Sequence, residues 1–275
     1  MSHVTSPGIR RAAVAGYFYP AQPEVLRETI DRLTPSGAVL RAARAVIVPH
    51  GSYARCGVVL GSTLGQVAIP RRCIVIGASH TGSWMPWSLL AAGTYRTPLG
   101  DVPVDAAAAE ALRERCPFLE GDAWSQTGEH AVEVLVPFLQ RLGPAGLSIV
   151  PIVTGSDDAQ QLRELAAALA QTVRMSEEPV LLIASSDLSH FQPQEQAAAQ
   201  DRQLIDLLCA LDAEALIRYV QDRGAMMCGY GAAAAVIGAA RMLEARQGTL
   251  TRYATSADAQ GDPDSVIGYA GIIIE

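Results

Sequence analysis

Residues 181–192 read LLIASSDLSHFQ, an apolar run that stops in two serines, an aspartate, a further serine and a histidine. The stretch EEPVLLIA (177–184) that leads into it is apolar without alternation, the pattern of a strand covered on both faces. Such strands belong to parallel sheets, whose crossover helices lie over both faces. Ser185, Ser186, Asp187 and His190 then lie at or just past the strand's carboxyl end, where open α/β sheets bind ligands.

The neighbouring runs end the same way. AVIVP (45–49) leads into His50, with a helix expected over 56–68, and RCIVIGAS (72–79) leads into His80. WSLLAAGTYRTPLGDVPVD (87–105) holds a TPLG turn between apolar arms and predicts paired strands. DAAAAEALRER (105–115) predicts a helix with Asp105 as N-cap. A helix over 130–141, a strand LSIVPIVTG (147–155) and a helix over 158–174 precede the opening stretch. Helices over 194–209, 212–222 and 229–246 follow it, then a last strand, SVIGYAGIIIE (265–275). This alternation predicts an α/β fold: a single domain over residues 1–275, with a mainly parallel twisted sheet and helices on both faces.

Composition narrows the function. Hydrophobic residues make up 49% of the 275, enough for a large core. A formal net charge of −7 argues against a nucleic-acid partner, which needs a basic footprint. The first twenty residues hold no apolar signal core, and GYGAAAAVIGAARML (229–243) is too short and too rich in small residues to span a bilayer, so no membrane association and a cytoplasmic location are expected. Five widely spaced cysteines without a CxxC argue against a disulfide framework and leave room for one specialised thiol.

Three of the five histidines, His50, His80 and His190, fall at strand ends, and His3 lies in a terminus expected to be loose. Taken singly, such a histidine is more often a hydrogen-bonded structural residue than a ligand. Imidazoles gathered at one sheet edge point instead to a metal or to proton transfer. Cys228, in GAMMCGYGAAAAVIG (224–238), stands at the expected start of a helix, where the dipole favours thiolate; its plainer reading is a small buried hydrophobe. His130 sits between Glu129 and Glu133, which read as a charged first helical turn matching the dipole. GASHTG (77–82) is not a nucleophile elbow, and neither a P-loop nor a dinucleotide fingerprint follows the first strand.

VPHGSY (48–53), GASH (77–80), EHAVEVLVPFLQ (129–140), ASSDLSH (184–190), MCGYGAAAAVIGAA (227–240) and TSADAQGDPDSVIGYAGI (255–272) follow one another in an order that resembles the Memo family, whose bacterial and archaeal members carry the name AmmeMemoRadiSam system protein B. The resemblance runs from GYFYP (16–20) to the last strand. It implies a fold similar to LigB-type class III extradiol dioxygenases and a metal, iron or copper, held by residues matching His50, His80 and Cys228; iron is foremost, and two histidines with a thiolate would also suit zinc. It places Asp187, His190 and His130 beside the metal, and implies AMMECR-type and radical-SAM proteins as partners. Gly51-Ser52 and the residues before His80 depart from the family's usual blocks, which puts a shared substrate in doubt without removing a ligand.

Three functions follow as expectations. The first is a non-haem metal oxidoreductase acting with dioxygen on a small organic substrate, with His190 as acid/base and Asp187 orienting it. The second is zinc-type metal-assisted hydrolysis. The third is a module that binds a peptide or partner through SWMPW (83–87), where Trp84, Met85 and Trp87 would form the surface; a loop capping the core is the plainer reading of those residues.

Overall fold

The apolar run ahead of Ser186 and Asp187 is a strand, Val180–Ser185, buried along its whole length. The computed structural model describes residues 8–81, 86–121, 125–259 and 261–275, so His3, Trp84 and Met85 lie outside the described residues. The chain begins β1 (Ile9–Arg10), α1 (Pro23–Leu33), β2 (Ala45–Val48), α2 (Tyr53–Leu64), β3 (Arg72–Ala78) and β4 (Trp87–Leu89). It continues β5 (Thr94–Thr97), β6 (Gly100–Pro103), α3 (Ala106–Arg115) and β7 (Glu120–Gly121). A 3-10 turn at Glu133–Leu135 runs into α4 (Val136–Leu142), followed by β8 (Ser148–Thr154), α5 (Ala159–Met175), β9 (Val180–Ser185) and β10 (His190–Gln192). Helices α6 (Gln194–Cys209), α7 (Ala213–Arg223) and α8 (Tyr230–Met242) then precede β11 (Gly248–Thr255), a 3-10 turn and β12 (Val266–Ile274).

Strands β2, β9, β3 and β8 lie side by side and parallel. Their side chains alternate between two cores. Ile47, Ile74, Ile76, Leu182 and Ala184 pack with α3 and α5 to α8, while Val46, Val48, Val75, Leu181 and Ile183 pack with α1, α2 and α4. Both faces are covered, which is why these strands read as unbroken apolar runs. Each fully buried Leu or Ile contributes about 1.5–3 kcal/mol.

The sheet as a whole is mixed. β12 runs antiparallel to β2 and carries β10 and β11 on its other edge, and β4 runs antiparallel to β8. The paired strands expected around TPLG form as β5 and β6, but they join β1 in a separate three-stranded sheet. Asp105 caps α3 by accepting from the Ala108 N–H, and Asp158 caps α5 through Gln160 and Gln161. The helix expected from residue 130 starts as the 3-10 turn at Glu133, leaving His130 on an irregular connection. α8 stops at Met242 instead of 246, where the chain turns through Glu244 at φ 68°.

Trp87 is 1% exposed and its indole N–H donates to Gln161 Oε1 at 2.6 Å. It belongs to the core, so it offers no recognition surface. No helix among the described residues is long and apolar enough to cross a membrane.

Candidate metal centre

Because β2, β9 and β3 are parallel neighbours, the residues that follow them emerge at one edge of the sheet. His50 follows β2, Asp187 and His190 follow β9, and His80 follows β3. His50, His80, His130, Asp187 and His190 line one cleft of about 380 Å³, together with Tyr17, Phe18, Arg55 and Tyr269. The ring centroids of His50 and His80 are 4.9 Å apart, those of His80 and His130 4.4 Å, and those of His50 and His130 5.4 Å.

Hydrogen bonds decide which nitrogen each ring presents. The Ser185 hydroxyl donates to Ala131 O at 2.6 Å, so its oxygen accepts from His50 Nδ1–H at 2.9 Å and Nε2 is left unprotonated. Glu129 accepts from His80 Nδ1 at 2.9 Å, which frees His80 Nε2 in the same way. His190 Nδ1 lies 2.8 Å from Leu188 O, a carbonyl that only accepts, so the proton sits on Nδ1 and Nε2 again is free. Burial, then the neighbouring His80 and His130, holds the pKa of His50 well below the usual imidazole value, so the ring is neutral near pH 7.

Cys228 completes the group. Its Sγ lies 3.3 Å from His50 Nε2, and one ligand atom each from His50, His80 and Cys228 fall within 4.8 Å of one another. Cys228 reaches this point because Gly229 lies flat against the end of β9, where a Cβ would meet Ser185 O at 2.4 Å and Ser186 Cβ at 2.7 Å. Ser186 Oγ accepts from the Gly229 N–H at 2.9 Å and fixes that approach. Without an ion the surroundings favour the neutral thiol over the thiolate that the helix dipole alone would favour. Burial first, and then the Asp187 carboxylate, pushes the thiol up to about 12. A cation beside the sulfur would reverse that balance.

His80, Glu129 and His130 form a second group of close ligand atoms. Glu129, however, is already filled: it accepts from His80 N–H (2.5 Å), His80 Nδ1, His130 N–H (2.8 Å) and Ala131 N–H (2.9 Å). Burial alone would raise its pKa, but the His80 ring and backbone donors outweigh it and bring it to about 2. Glu129 therefore orients His80 instead of competing for an ion. Of the two acids read as a charged first helical turn, Glu133 does open the 3-10 turn while Glu129 lies before it, and both are fully buried. Glu133 pairs with Arg10 and accepts from Ala13 N–H, Val14 N–H and the Tyr19 hydroxyl. That network pins the segment carrying Tyr17 and Phe18, and Phe18 packs on His130 at 4.8 Å.

Asp187 is buried and accepts from the His50 N–H at 2.9 Å, and its burial raises its pKa. The loop that carries Asp187 and His190 is held by residues that sequence reasoning missed. Asp201, on α6, accepts from Ser189 N–H at 2.9 Å and from the Tyr253 hydroxyl at 2.8 Å. Gly268 exchanges backbone hydrogen bonds with Leu188 and Ser189, and any Cβ there would sit 1.8 Å from Asp201 Oδ2. The glycine-flanked VIGYAG in the last strand was the available signal for so close an approach.

A family model described as Memo-like protein matches residues 10–273. A MEMO1 family protein from Methanopyrus kandleri is 35% identical over 277 aligned positions, covering 96% of this chain and 98% of the relative. Another from Methanothermobacter thermautotrophicus is 35% identical, covering 95% and 99%. The crystal structure of an uncharacterized protein from Escherichia coli K12 superposes with a TM-score of 0.57 at 18% identity, over 84% of this chain and 99% of that one, a likeness of fold.

Proposed function

From the premise that this chain belongs to the Memo family, we propose that it is a non-haem metal-dependent oxidoreductase acting on a small organic substrate. His50, His80 and Cys228 are its proposed ligands. The observation that carries this reading is the donor set: two imidazoles whose Nδ1 atoms are already engaged and a thiol, mutually within 4.8 Å. A metal of the iron, copper or zinc type suits two nitrogens and a sulfur, and would supply Lewis acidity and, if redox-active, electron transfer with dioxygen.

The protein's own part is to hold groups and protons. Ser185 and Glu129 fix the two rings with Nε2 presented to the ion. His190, its Nδ1–H tied to Leu188 O, offers Nε2 to the cleft as the acid/base. Asp187, buried and raised in pKa, can store a proton next to His50. His130 shares the cleft beside His80 and orders substrate against that ring. A role alongside AMMECR-type or radical-SAM proteins is proposed from the family resemblance, and co-purification of the native complex tests it.

Protein prepared without oxygen should bind about one Fe(II), Cu(I) or Zn per chain, and Cys228→Ser should weaken it. No uptake of any of the three would sink the metal reading. Metal uptake with no oxygen consumption across a panel of catechol-like compounds, but with hydrolytic activity, would favour the zinc-hydrolase alternative.

A further inference from the structure

The metal cleft does not end at its histidines. Its lining includes Arg55, and an adjoining cleft of about 450 Å³ shares Arg55 and adds Arg252, Tyr253 and Asp258. Both arginines are exposed, and among the described residues neither side chain has a hydrogen bond or ion pair. Some exposed arginines are matched, Arg96 with Asp101, Arg141 with Asp31 and Arg163 with Glu214, and others such as Arg44 and Arg71 are not; what sets Arg55 apart is its place in the lining of the histidine cleft. Asp258, which lines the same neighbouring cleft, accepts through Oδ2 from Thr255 N–H at 2.6 Å and from its hydroxyl at 3.2 Å, and forms no ion pair with either arginine. Tyr253 is committed too, through its bond to Asp201. Arg55 therefore brings a guanidinium without an ion pair to the histidine cleft, and Arg252 brings another to the cleft that shares Arg55, in a chain whose net charge is −7. Tyr17, 87% exposed, with Phe18 and Tyr269 adds aromatic surface to the same cleft.

We propose that this site takes a small organic acid, its carboxylate held by Arg55 and Arg252 and its uncharged end directed toward the histidines. The guanidinium fork matches a carboxylate's two oxygens and forms charge-assisted bonds, and positive charge at the mouth draws an anion against the field of an acidic protein. The choice of which end of the substrate reacts rests on the metal reading above; the carboxylate contact does not.

The test titrates benzoate and its neutral isostere benzamide into the parent protein, Arg55→Gln and Arg252→Gln, with and without added Zn, by calorimetry or ligand NMR. Benzoate should bind the parent more tightly than benzamide does. Arg55→Gln should weaken benzoate roughly tenfold or more, Arg252→Gln should weaken it less, and benzamide should not respond. Zn uptake should match the parent in both variants, because neither arginine touches the proposed ligands. Benzoate binding no tighter than benzamide in the parent, or benzoate affinity unchanged in Arg55→Gln, overturns the proposal. An arginine-dependent benzoate preference in a protein that takes up no metal would sink the oxidoreductase reading and leave the acid-binding site standing.

Discussion

Replacing Glu129 by Gln tests whether His80 is held for metal binding or merely for packing. One carboxylate oxygen, Oε1, accepts from the His80 ring, His130 N–H and Ala131 N–H, and the other accepts from His80 N–H. An amide keeps one acceptor and turns the other into a donor, so it sets one N–H against another inside a fully buried pocket. A buried unsatisfied pair costs about 1–3 kcal/mol, the expected loss of stability in the metal-free protein. Losing the charge that orients the His80 ring should also lower metal affinity by roughly 10–100-fold, about 1.4–2.7 kcal/mol. The pH limb has a definite sign. The Glu129 pKa in the folded protein, about 2, lies below its ordinary value of 4.5, so the carboxylate adds stability above that value and loses it as pH falls through 2. The variant should therefore show a shallower acid limb. Thermal melts across pH and metal titration against a competing chelator measure both effects. A variant destabilised as expected but binding metal within about twofold of the parent would refute the orienting role.

Three further outcomes follow from the same geometry. Cys228→Ser should weaken Cu(I) and Zn more than Fe(II), and should flatten a pH dependence that in the parent approaches roughly tenfold per unit, because a thiol pushed up to about 12 must release its proton to bind; chelator competition at several pH values reads both. Gly268→Ala drives a methyl group into Asp201 and should cost about 1–3 kcal/mol by chemical denaturation. Asp201→Asn should be as stable as the parent or more so at pH 7. Burial raises the Asp201 pKa, so its penalty sets in as pH rises from the ordinary carboxylate value through the raised one, and the advantage of Asn should fade in acid.

The parts of this fold that sequence made legible are those governed by local pattern. The unalternating strands β2, β3, β8 and β9 were visible because burial on both faces leaves no polar position. The convergence of His50, His80, Asp187 and His190 followed from their place after parallel strands. What local pattern cannot carry is pairing across long separations. Glu129 looked like the start of a helix because nothing near it in sequence announces His80, 49 residues away, as its partner. Arg10 and Glu133 are 123 residues apart. β11 escaped notice because GTLTRYAT is an edge strand, mostly half-exposed, and its polar residues hide the run. Cys228 lies just before α8, close to the expected helix start, but the dipole argument leaves out burial, which raises the thiol's pKa.

The placement of β12 beside β2 has a consequence for how the protein is made. His50 leaves the ribosome long before Tyr269, which lines its cleft, and Gly268, which clamps the loop bearing Asp187 and His190. A nascent chain that has already exposed His50, His80 and Cys228 still lacks the strand that closes the sheet and sets that loop. Non-local pairing of this kind forms slowly and late. Ion capture should accordingly wait until β12 has been made and has paired with β2, and a chain that lacks it should be a poor scavenger of the metals around it.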